Sequence, residues 1–130
     1  MRKDLSIPKA ANVNFIVDDL TNPIELKNLN NIDLWHDRAV LHFFTKKEEQ
    51  ERYFQLINDS LKTGGFVILA EFNLEGAKKC CGLDVVNYDS AKLQKGLGEN
   101  FKLLKEFNYT YIQPSGNTRA YVYTLFQKVQ

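Results

Sequence analysis

The chain has 130 residues, which is enough for one domain around one hydrophobic core. Its 17 basic and 16 acidic side chains leave a net charge of +1, so we expect neither a nucleic-acid partner nor a membrane partner. The sequence has no apolar run near the ~20 residues that span a bilayer, and its basic start lacks the apolar stretch of a secretory signal. These features predict a cytoplasmic protein.

The cysteines and histidines do not have the spacing of a metal site. Cys80 and Cys81 are neighbours, so a disulfide between them would be strained. The chain has no CxxC pair and only two histidines, and we therefore expect no bound metal. Lys78 and Lys79 are the only basic residues beside the thiols, which predicts buried or unreactive cysteines.

The beginning of the chain carries few structural signals. Residues 1–11 are polar and are expected to be a tail or stub of the single domain that the chain forms. Residues 13–17 are predicted to be a strand, which ends at the acidic pair Asp18-Asp19. Residues 24–31 are predicted to be a loop or a weak helix.

The centre of the chain is predicted to be a β-α-β unit. Residues 32–35 have the pattern of a short strand, and the polar residues 36–38 break it. A helix then begins at Thr45, and a continuous apolar strand follows at residues 66–70. A fully apolar strand directly after a helix is typical of a parallel sheet that is covered on both faces.

The helix of this unit has clear end signals. Thr45 and Glu48 have the spacing of a capping box, in which each side chain satisfies a free backbone N–H of the other residue. Gly64 suits the left-handed position that follows a helix. The residues between these ends include an apolar stripe at spacings of three and four: Phe54, Ile57 and Leu61.

The remaining segments predict a loop, a short helix and a hairpin. Residues 73–86 are irregular and long for a connection, as lids at the carboxyl edge of a sheet often are. Asp89 is the predicted N-cap of a helix that ends at Gly98. Residues 101–112 and 120–126 are predicted to form an antiparallel hairpin. Its aromatic side chains are predicted to pack against one another across the strands, in preference to forming a stacking surface for nucleic-acid bases: Tyr109, Tyr111, Tyr121, Tyr123 and Phe126.

In this order of elements the chain resembles the carboxyl-terminal two-thirds of a class I S-adenosylmethionine-dependent methyltransferase. Residues 14–20 (NFIVDDL) are similar to the third strand of that family, and residues 32–43 (IDLWHDRAVLHF) to its fourth strand and the short helix after it. Residues 60–65 (SLKTGG) are similar to its Leu-Lys-Pro-Gly-Gly turn. The resemblance implies an α/β fold with a truncated Rossmann-like sheet, mostly parallel with a C-terminal antiparallel hairpin.

The resemblance also implies methyl transfer from S-adenosylmethionine to a small-molecule acceptor. It places Asp18 and Asp19 at the adenine amino group, the backbone of Leu20 beside it, and Trp35 in the wall of the cofactor pocket. Two alternatives stay open, because acidic pairs also cap turns and a tryptophan in a sheet often belongs to the core.

The polar corner after the first strand of the unit is the implied acceptor end of the site. His36 is the candidate general base, which is needed only if the acceptor keeps its proton at neutral pH. Asp37 is a candidate catalytic residue or holds the charged methionine part of the cofactor. Arg38 either pairs with Asp37 or Asp33 or clamps an anionic substrate. His42 is predicted to be structural and to pack against the following helix.

The glycine-rich cofactor loop of that family has no counterpart in this sequence. The family binds its cofactor on a loop after the first strand, where only glycine lets the backbone approach the ligand, but the first glycine here is Gly64. We therefore expect a truncated or split methyltransferase that is inactive alone. The alternatives are a non-catalytic module whose partner supplies the missing strands, and a gene fragment without activity.

The missing strands also predict association between chains. The strand at residues 32–35 would carry an unpaired edge, which is a template for pairing with another chain. Leu34, Val40 and Phe44 would be left partly bare. We therefore expect a homodimer, or a partner that supplies the missing strands.

Overall fold

The computed structural model describes residues 12–130, so the predicted tail at 1–11 lies outside the described residues. Short 3-10 helices lie at Leu26–Asn28 and Leu41–Phe43. The α-helices and β-strands follow in this order: β1 (Ile32–Arg38), α1 (Lys47–Ser60), β2 (Leu61–Phe72), β3 (Lys79–Cys80), β4 (Leu83–Asp84), α2 (Ser90–Leu97), β5 (Phe101–Ile112) and β6 (Thr118–Lys128).

Four strands form one mixed sheet in the order β1-β2-β6-β5. β1 and β2 are parallel, with Trp35 opposite Val67 and Asp37 opposite Leu69. β6 is antiparallel to both β2 and β5. The predicted β-α-β unit, with α1 as its crossover helix, and the predicted closing hairpin are therefore both confirmed.

The predicted strand at residues 13–17 is wrong, because this segment has an irregular backbone. The side chains of Phe15 and Val17 are 80% and 97% exposed. A strand needs a neighbour that pairs its backbone groups, and within residues 12–130 β1 has none on the side away from β2. The sheet in this part of the chain consequently has one parallel pair and two antiparallel pairs.

α1 begins later than the sequence pattern predicts. Its N-cap is Lys46, whose backbone N–H donates to Oε1 of Glu49 at 3.3 Å. The predicted pair of Thr45 and Glu48 is therefore wrong by one residue. Both pairs have the same spacing in the sequence, and the local pattern does not choose between them. Gly64 has the predicted positive φ of +90°, but it lies in the irregular start of β2 and not at the end of the helix.

α2 has the predicted ends. Oδ1 of Asp89 accepts a hydrogen bond from the backbone N–H of Lys92 at 2.8 Å, and the helix ends at Gly98, where φ is +93°. Gly96 lies against the ring of Phe54 on α1, since a Cβ at this position would come within 2.3 Å of the ring. A glycine therefore lets the two helices approach closely. Neither helix in residues 12–130 has the length and apolar character that crossing a membrane requires.

The two helices cover one face of the sheet, and the opposite face has no helix on it within residues 12–130. The core lies under the helices, where Val67, Leu69 and Phe126 are fully buried. The cross-strand register places the following side chains together on the opposite face, here called the open face: Leu34, His36, Arg38, Phe66, Ile68, Ala70, Lys105, Phe107, Tyr109, Tyr111, Arg119, Tyr121, Tyr123 and Leu125. The predicted coverage on both faces is thus not found in this part of the chain.

Residues 73–87 form an ordered loop that contains the paired strands β3 and β4. The buried side chain of Asn87 closes this loop. Its Nδ2 donates to the carbonyl oxygens of Asn73 at 2.8 Å and Ala77 at 2.9 Å, and its Oδ1 accepts from Nζ of Lys78 at 3.2 Å. The segment predicted to be an irregular lid is therefore tied at its base.

Candidate functional site

An open cleft of about 460 Å³ lies at the carboxyl end of β1. Ligands of open α/β sheets bind at this end of the parallel strands. The cleft brings together five residues that the sequence predicts for the site, with three neighbours. Its lining residues are Leu20, Leu26, Trp35, His36, Asp37, Arg38, Val40 and Tyr53.

Asp37 is buried at the back of this cleft and holds the corner of the chain after β1. Its Oδ1 accepts a hydrogen bond from the N–H of Val40 at 2.9 Å, and its Oδ2 accepts from the N–H of Leu41 at 3.0 Å. These bonds keep Ala39 in a left-handed conformation with φ of +67°, which costs a residue with a Cβ about 1–2 kcal/mol. Asp37 thus positions the backbone beside Arg38, and its predicted contact with the reacting groups stays a prediction.

Tyr53 on α1 joins Asp37 to Trp35. The Tyr53 hydroxyl donates to Oδ2 of Asp37 at 2.5 Å and accepts from Nε1 of Trp35 at 3.0 Å. Burial, and then the charge of Asp37, raise the pKa of Tyr53 well above its ordinary value. Trp35 is half-buried and packs against the core as well as lining the cleft, so the predicted core packing is found and the predicted contact with the cofactor stays a prediction.

Glu71 and His42 lie behind Asp37 and are fully buried. Oε1 of Glu71 accepts from the backbone N–H of His42 at 3.1 Å, while Nδ1 of His42 accepts from the N–H of Phe72 at 3.1 Å. Burial lowers the pKa of His42 to about 4, so the ring is neutral. Burial, and then the charge of Asp37, raise the pKa of Glu71 well above its ordinary value. His42 is therefore buried and structural, as predicted, and its hydrogen bonds and its ring contact with Phe72 tie it to β2.

His36 is exposed on the open face beside Ile68 and lines the cleft. No hydrogen bond within residues 12–130 fixes its ring. Its predicted role as a general base therefore depends on what binds in the cleft, and stays a prediction.

Asp18 and Asp19 make the contacts of turn-capping acids. The carboxylate of Asp18 accepts from the backbone N–H groups of Ile24, Glu25 and Leu26 at 2.8–3.1 Å. Asp19 uses its Oδ1 for the N–H and hydroxyl of Thr21, and hydrogen bonds lower the pKa of both acids. The adenine contact stays a prediction. These bonds use both carboxylate oxygens of Asp18 and only Oδ1 of Asp19, so Oδ2 of Asp19 takes no part in them.

Arg38 belongs to an aromatic cluster that the sequence pattern did not assign to the site. Its Nε donates to the hydroxyl of Tyr123 at 3.1 Å, and its guanidinium carbon lies 4.7 Å from the ring centre of Tyr121 and 5.9 Å from that of Tyr111. The predicted ion pairs with Asp37 and Asp33 are absent from the structure, where Asp33 pairs with Lys62 instead. A signal was present in the alternation of the tyrosines along β5 and β6, which places them on one face.

The two thiols lie on the loop beside this cluster. Cys80 is half-buried and Cys81 is exposed, and neither forms a disulfide. Burial raises the pKa of Cys80, which disfavours the reactive thiolate. This agrees with the prediction for Cys80, whereas Cys81 is exposed and its predicted lack of reactivity stays a prediction.

The residues at and near the cleft lack several features that a site for the whole of S-adenosylmethionine would need. The carboxylates of Asp18 and Asp37 are occupied by backbone N–H groups. No glycine lines the cleft, so the described backbone offers no close approach to a charged ligand. Residues 12–130 therefore do not by themselves fit the whole cofactor.

A second cleft, of about 490 Å³, opens between α1 and α2. Nζ of Lys92 on its wall already donates to the carbonyl oxygen of Asn87 at 2.6 Å and lies 5.2 Å from the ring centre of Tyr88. None of the site residues predicted from the sequence lines this second cleft, whereas five of them line the cleft of β1, and we therefore place the functional site there.

No protein-family model matches the chain, and no curated protein matches it in sequence. Solved structures do match its fold. An S-adenosylmethionine-dependent methyltransferase from Anabaena variabilis has a TM-score of 0.71 at 14% identity over 98% of this chain and 62% of its own. A methyltransferase of the same kind from Methanosarcina mazei has a TM-score of 0.67 at 14% identity over 88% of this chain and 66% of its own.

A third similar structure is the 1,6-didemethyltoxoflavin-N1-methyltransferase of Burkholderia thailandensis, with bound 1,6-didemethyltoxoflavin and S-adenosylhomocysteine. Its TM-score is 0.67 at 15% identity over 95% of this chain and 56% of its own. The chain thus spans 56–66% of the length of these three proteins. The likeness confirms the predicted α/β fold of the class I methyltransferases, with an antiparallel hairpin at its carboxyl end.

Proposed function

We propose that this chain, which has the fold of a class I S-adenosylmethionine-dependent methyltransferase, takes part in methyl transfer to a small-molecule acceptor. The observation that carries the proposal is the cleft at the carboxyl end of β1, where His36 and Arg38 meet on a frame fixed by Asp37. Methyl transfer depends mainly on proximity and alignment of the reactants, and a preformed corner serves that purpose.

The residues of the cleft have separate roles in this proposal. Arg38 binds an anionic group of the acceptor, because a guanidinium offers two donors to one carboxylate or phosphate. His36 accepts the proton of an acceptor that is still protonated at neutral pH. Asp37 is a positioning residue, since its carboxylate is buried and bonded to the backbone.

The cofactor is S-adenosylmethionine, held jointly by this chain and by a segment that residues 12–130 do not contain. Asp19, Leu20 and Trp35 would line the side of the cofactor that this chain supplies. In the described part of the chain no strand pairs with the edge of β1 that faces away from β2. This edge supports such a segment, because its backbone groups can pair with a further strand. A non-catalytic module that pairs with a partner is the second candidate, and the same edge supports it.

The experiment joins this chain to the part of the Anabaena variabilis methyltransferase that it does not match. Calorimetry should show little or no binding of S-adenosylmethionine to the chain alone. It should show micromolar binding, about 8 kcal/mol, to the joined protein. The joined protein should also transfer a labelled methyl group to a member of a small-molecule acceptor set.

Two variants separate acceptor binding from cofactor binding. Arg38→Gln in the joined protein should lose methyl transfer and keep the affinity for S-adenosylmethionine, whereas Lys102→Gln, at the far end of the sheet, should keep both. Sub-micromolar binding by the chain alone would contradict the divided cofactor site. A cooperatively melting joined protein that binds the cofactor and methylates nothing would favour the non-catalytic module.

A further inference from the structure

The open face of the sheet has two parts with different chemistry. The part at the beginning of the parallel strands is mainly apolar, with Leu34, Phe66, Ile68 and Leu125 in neighbouring registers. His36 and Lys105 lie at the two ends of the row that contains Ile68 and Leu125. Leu34 is 52% exposed and Phe66 is 38% exposed. Apolar side chains of this kind suit a packed polypeptide segment. The part at the carboxyl end of the parallel strands is cationic and aromatic.

This second part, here called the Arg-Tyr patch, consists of Arg38, Tyr111, Arg119, Tyr121 and Tyr123. In the strand register, Arg38 lies opposite Ala70, which in turn lies opposite Tyr123. Arg119 lies opposite Tyr111 and is two residues from Tyr121 along β6, on the same face. Two arginines therefore lie on either side of one buried tyrosine. A packed apolar segment over this patch would leave their donors without partners, which is costly.

The acidic side chains of the sheet do not neutralise this patch. The register directs Asp37, Glu71 and Glu106 to the face that the helices cover. Asp33, near the opposite end of β1, pairs with Nζ of Lys62 at 2.5 Å. Within residues 12–130 neither Arg38 nor Arg119 forms an ion pair with a carboxylate, and unpaired guanidinium groups favour an anionic ligand.

Arg38 is held in place before any ligand arrives. Its Nε is bonded to Tyr123, and its guanidinium lies against the rings of Tyr121 and Tyr111. Within residues 12–130 neither Nη atom donates a hydrogen bond, so both are available to a carboxylate. A guanidinium that is already positioned loses less conformational entropy on binding.

The exposed aromatic side chains offer ring surface beside Arg38. Tyr123 and Phe107 are stacked with an interplanar angle of 1°, and Tyr111 remains 39% exposed next to Arg38. The loop closed by Asn87 adds an apolar wall, since Ala77, Cys80 and Val85 pack against the cluster around Tyr121. A ring that lies on Tyr111 would bring a carboxylate substituent to Arg38, and aromatic rings favour such offset stacking.

From these contacts we infer that the Arg-Tyr patch binds a planar aromatic carboxylate. The patch lies beside the cleft of β1 and shares Arg38 with it, so this ligand class would be that of the methyl acceptor. That last assignment rests on the proposed function, whereas binding itself does not.

The test is a titration of the full chain with benzoate in the absence of S-adenosylmethionine. Binding is measured from the NMR signals of the ligand. Benzyl alcohol has the ring without the charge, and cyclohexanecarboxylate has the charge without the flat ring. Benzoate should bind saturably, and each of the other two should bind at least about fivefold more weakly. Arg38→Gln should weaken benzoate binding about tenfold, and Tyr111→Leu, at an exposed position that leaves the core intact, about threefold.

Arg52→Gln is the matched control, because Arg52 is an exposed arginine on α1 whose Nη1 contacts the carbonyl oxygen of Thr21. It should leave the affinity for benzoate unchanged. Binding of benzoate that does not saturate, or that Arg38→Gln and Tyr111→Leu leave unchanged, would overturn the inference. Saturable binding with no methyl transfer in the joined protein would leave the patch intact and reject only its role in catalysis. Methyl transfer to cationic acceptors alone would support the proposed function and reject the assignment of an aromatic carboxylate as the methyl acceptor.

Discussion

The hydroxyl of Tyr53 donates a hydrogen bond to Oδ2 of Asp37 at 2.5 Å and thereby fastens α1 to the end of β1. The same hydroxyl accepts the indole N–H of Trp35. One phenol oxygen therefore connects the core helix, the tryptophan of the cleft and the acid that shapes its corner. We expect this oxygen to matter for stability as much as for the site.

Tyr53→Phe should lower the free energy of unfolding by about 2–3 kcal/mol. The change removes a bond to a buried carboxylate and leaves the N–H of Trp35 without its acceptor. Denaturant unfolding of the two proteins measures the difference. Tyr111→Phe is the control, because that residue is exposed, and it should change stability by less than about 0.5 kcal/mol. Equal losses in the two variants would contradict the hydrogen-bond arrangement.

His42 should make the fold less stable as the pH falls from 6.5 to about 4. Its pKa is lower in the folded chain than in the unfolded chain, so the unfolded chain binds more protons in this interval and stability rises with pH. A shift from 6.5 to about 4 corresponds to about 3 kcal/mol. Stability measured by urea unfolding at several pH values should show this slope.

Glu71 requires a control in this experiment, because its raised pKa has the opposite effect. Its contribution is complete at low pH and is lost as the pH rises through its pKa in the folded chain. The comparison is therefore made in a Glu71→Gln background, with His42→Gln and His36→Gln as the two variants. The increase of stability with pH should be smaller in His42→Gln. It should be unchanged in His36→Gln, since His36 is exposed. The reverse result would mean that His42 is not buried as described.

The fold was predictable where local signals and tertiary structure agree. The hairpin of β5 and β6, the N-cap at Asp89 and the apolar strand β2 follow from alternation, capping chemistry and composition. The segment at 13–17 has the composition of a strand, but pairing depends on a neighbour far away in the sequence, which no local pattern reveals.

The site was predictable only in part, for a related reason. The corner at His36, Asp37 and Arg38 lies at the end of a predicted parallel strand, which marks it as a ligand position. The sequence does not show that Asp37 is occupied by backbone N–H groups. It also does not show that Arg38 contacts Tyr123, because those residues are brought together only by the order of the strands.

The start of α1 can be tested with three single substitutions. Glu49→Ala should cost about 0.5–1 kcal/mol, because the side chain accepts the N–H of Lys46. Thr45→Ala and Glu48→Ala should cost less, although the sequence pattern alone assigns the cap to that pair. Thermal melts of the three variants rank them. If Thr45→Ala lost the most stability of the three variants, α1 would begin at Thr45, as the sequence pattern predicts.

Within residues 12–130 no strand pairs with the outer edge of β1, and this edge and the exposed apolar part of the open face should make the isolated chain associate. Leu34 and Val40 are 52% and 38% exposed, as the prediction of partly bare side chains requires, while Phe44 is half-buried against the core. Leu34→Lys should shift sedimentation equilibrium at micromolar concentration toward the monomer, because a charge on an edge strand opposes pairing. Val129→Lys, at an exposed position at the end of the chain, is the control. A wild-type chain that is monomeric and melts cooperatively would contradict the prediction.

Asn87 has a consequence for the time course of binding. Because its amide ties both ends of the loop at residues 73–87, the wall beside Tyr121 is present before a ligand arrives. A ligand therefore does not wait for a segment to close over it. Its approach to equilibrium should follow a single exponential whose rate constant increases linearly with ligand concentration, without the plateau that a slow rearrangement imposes.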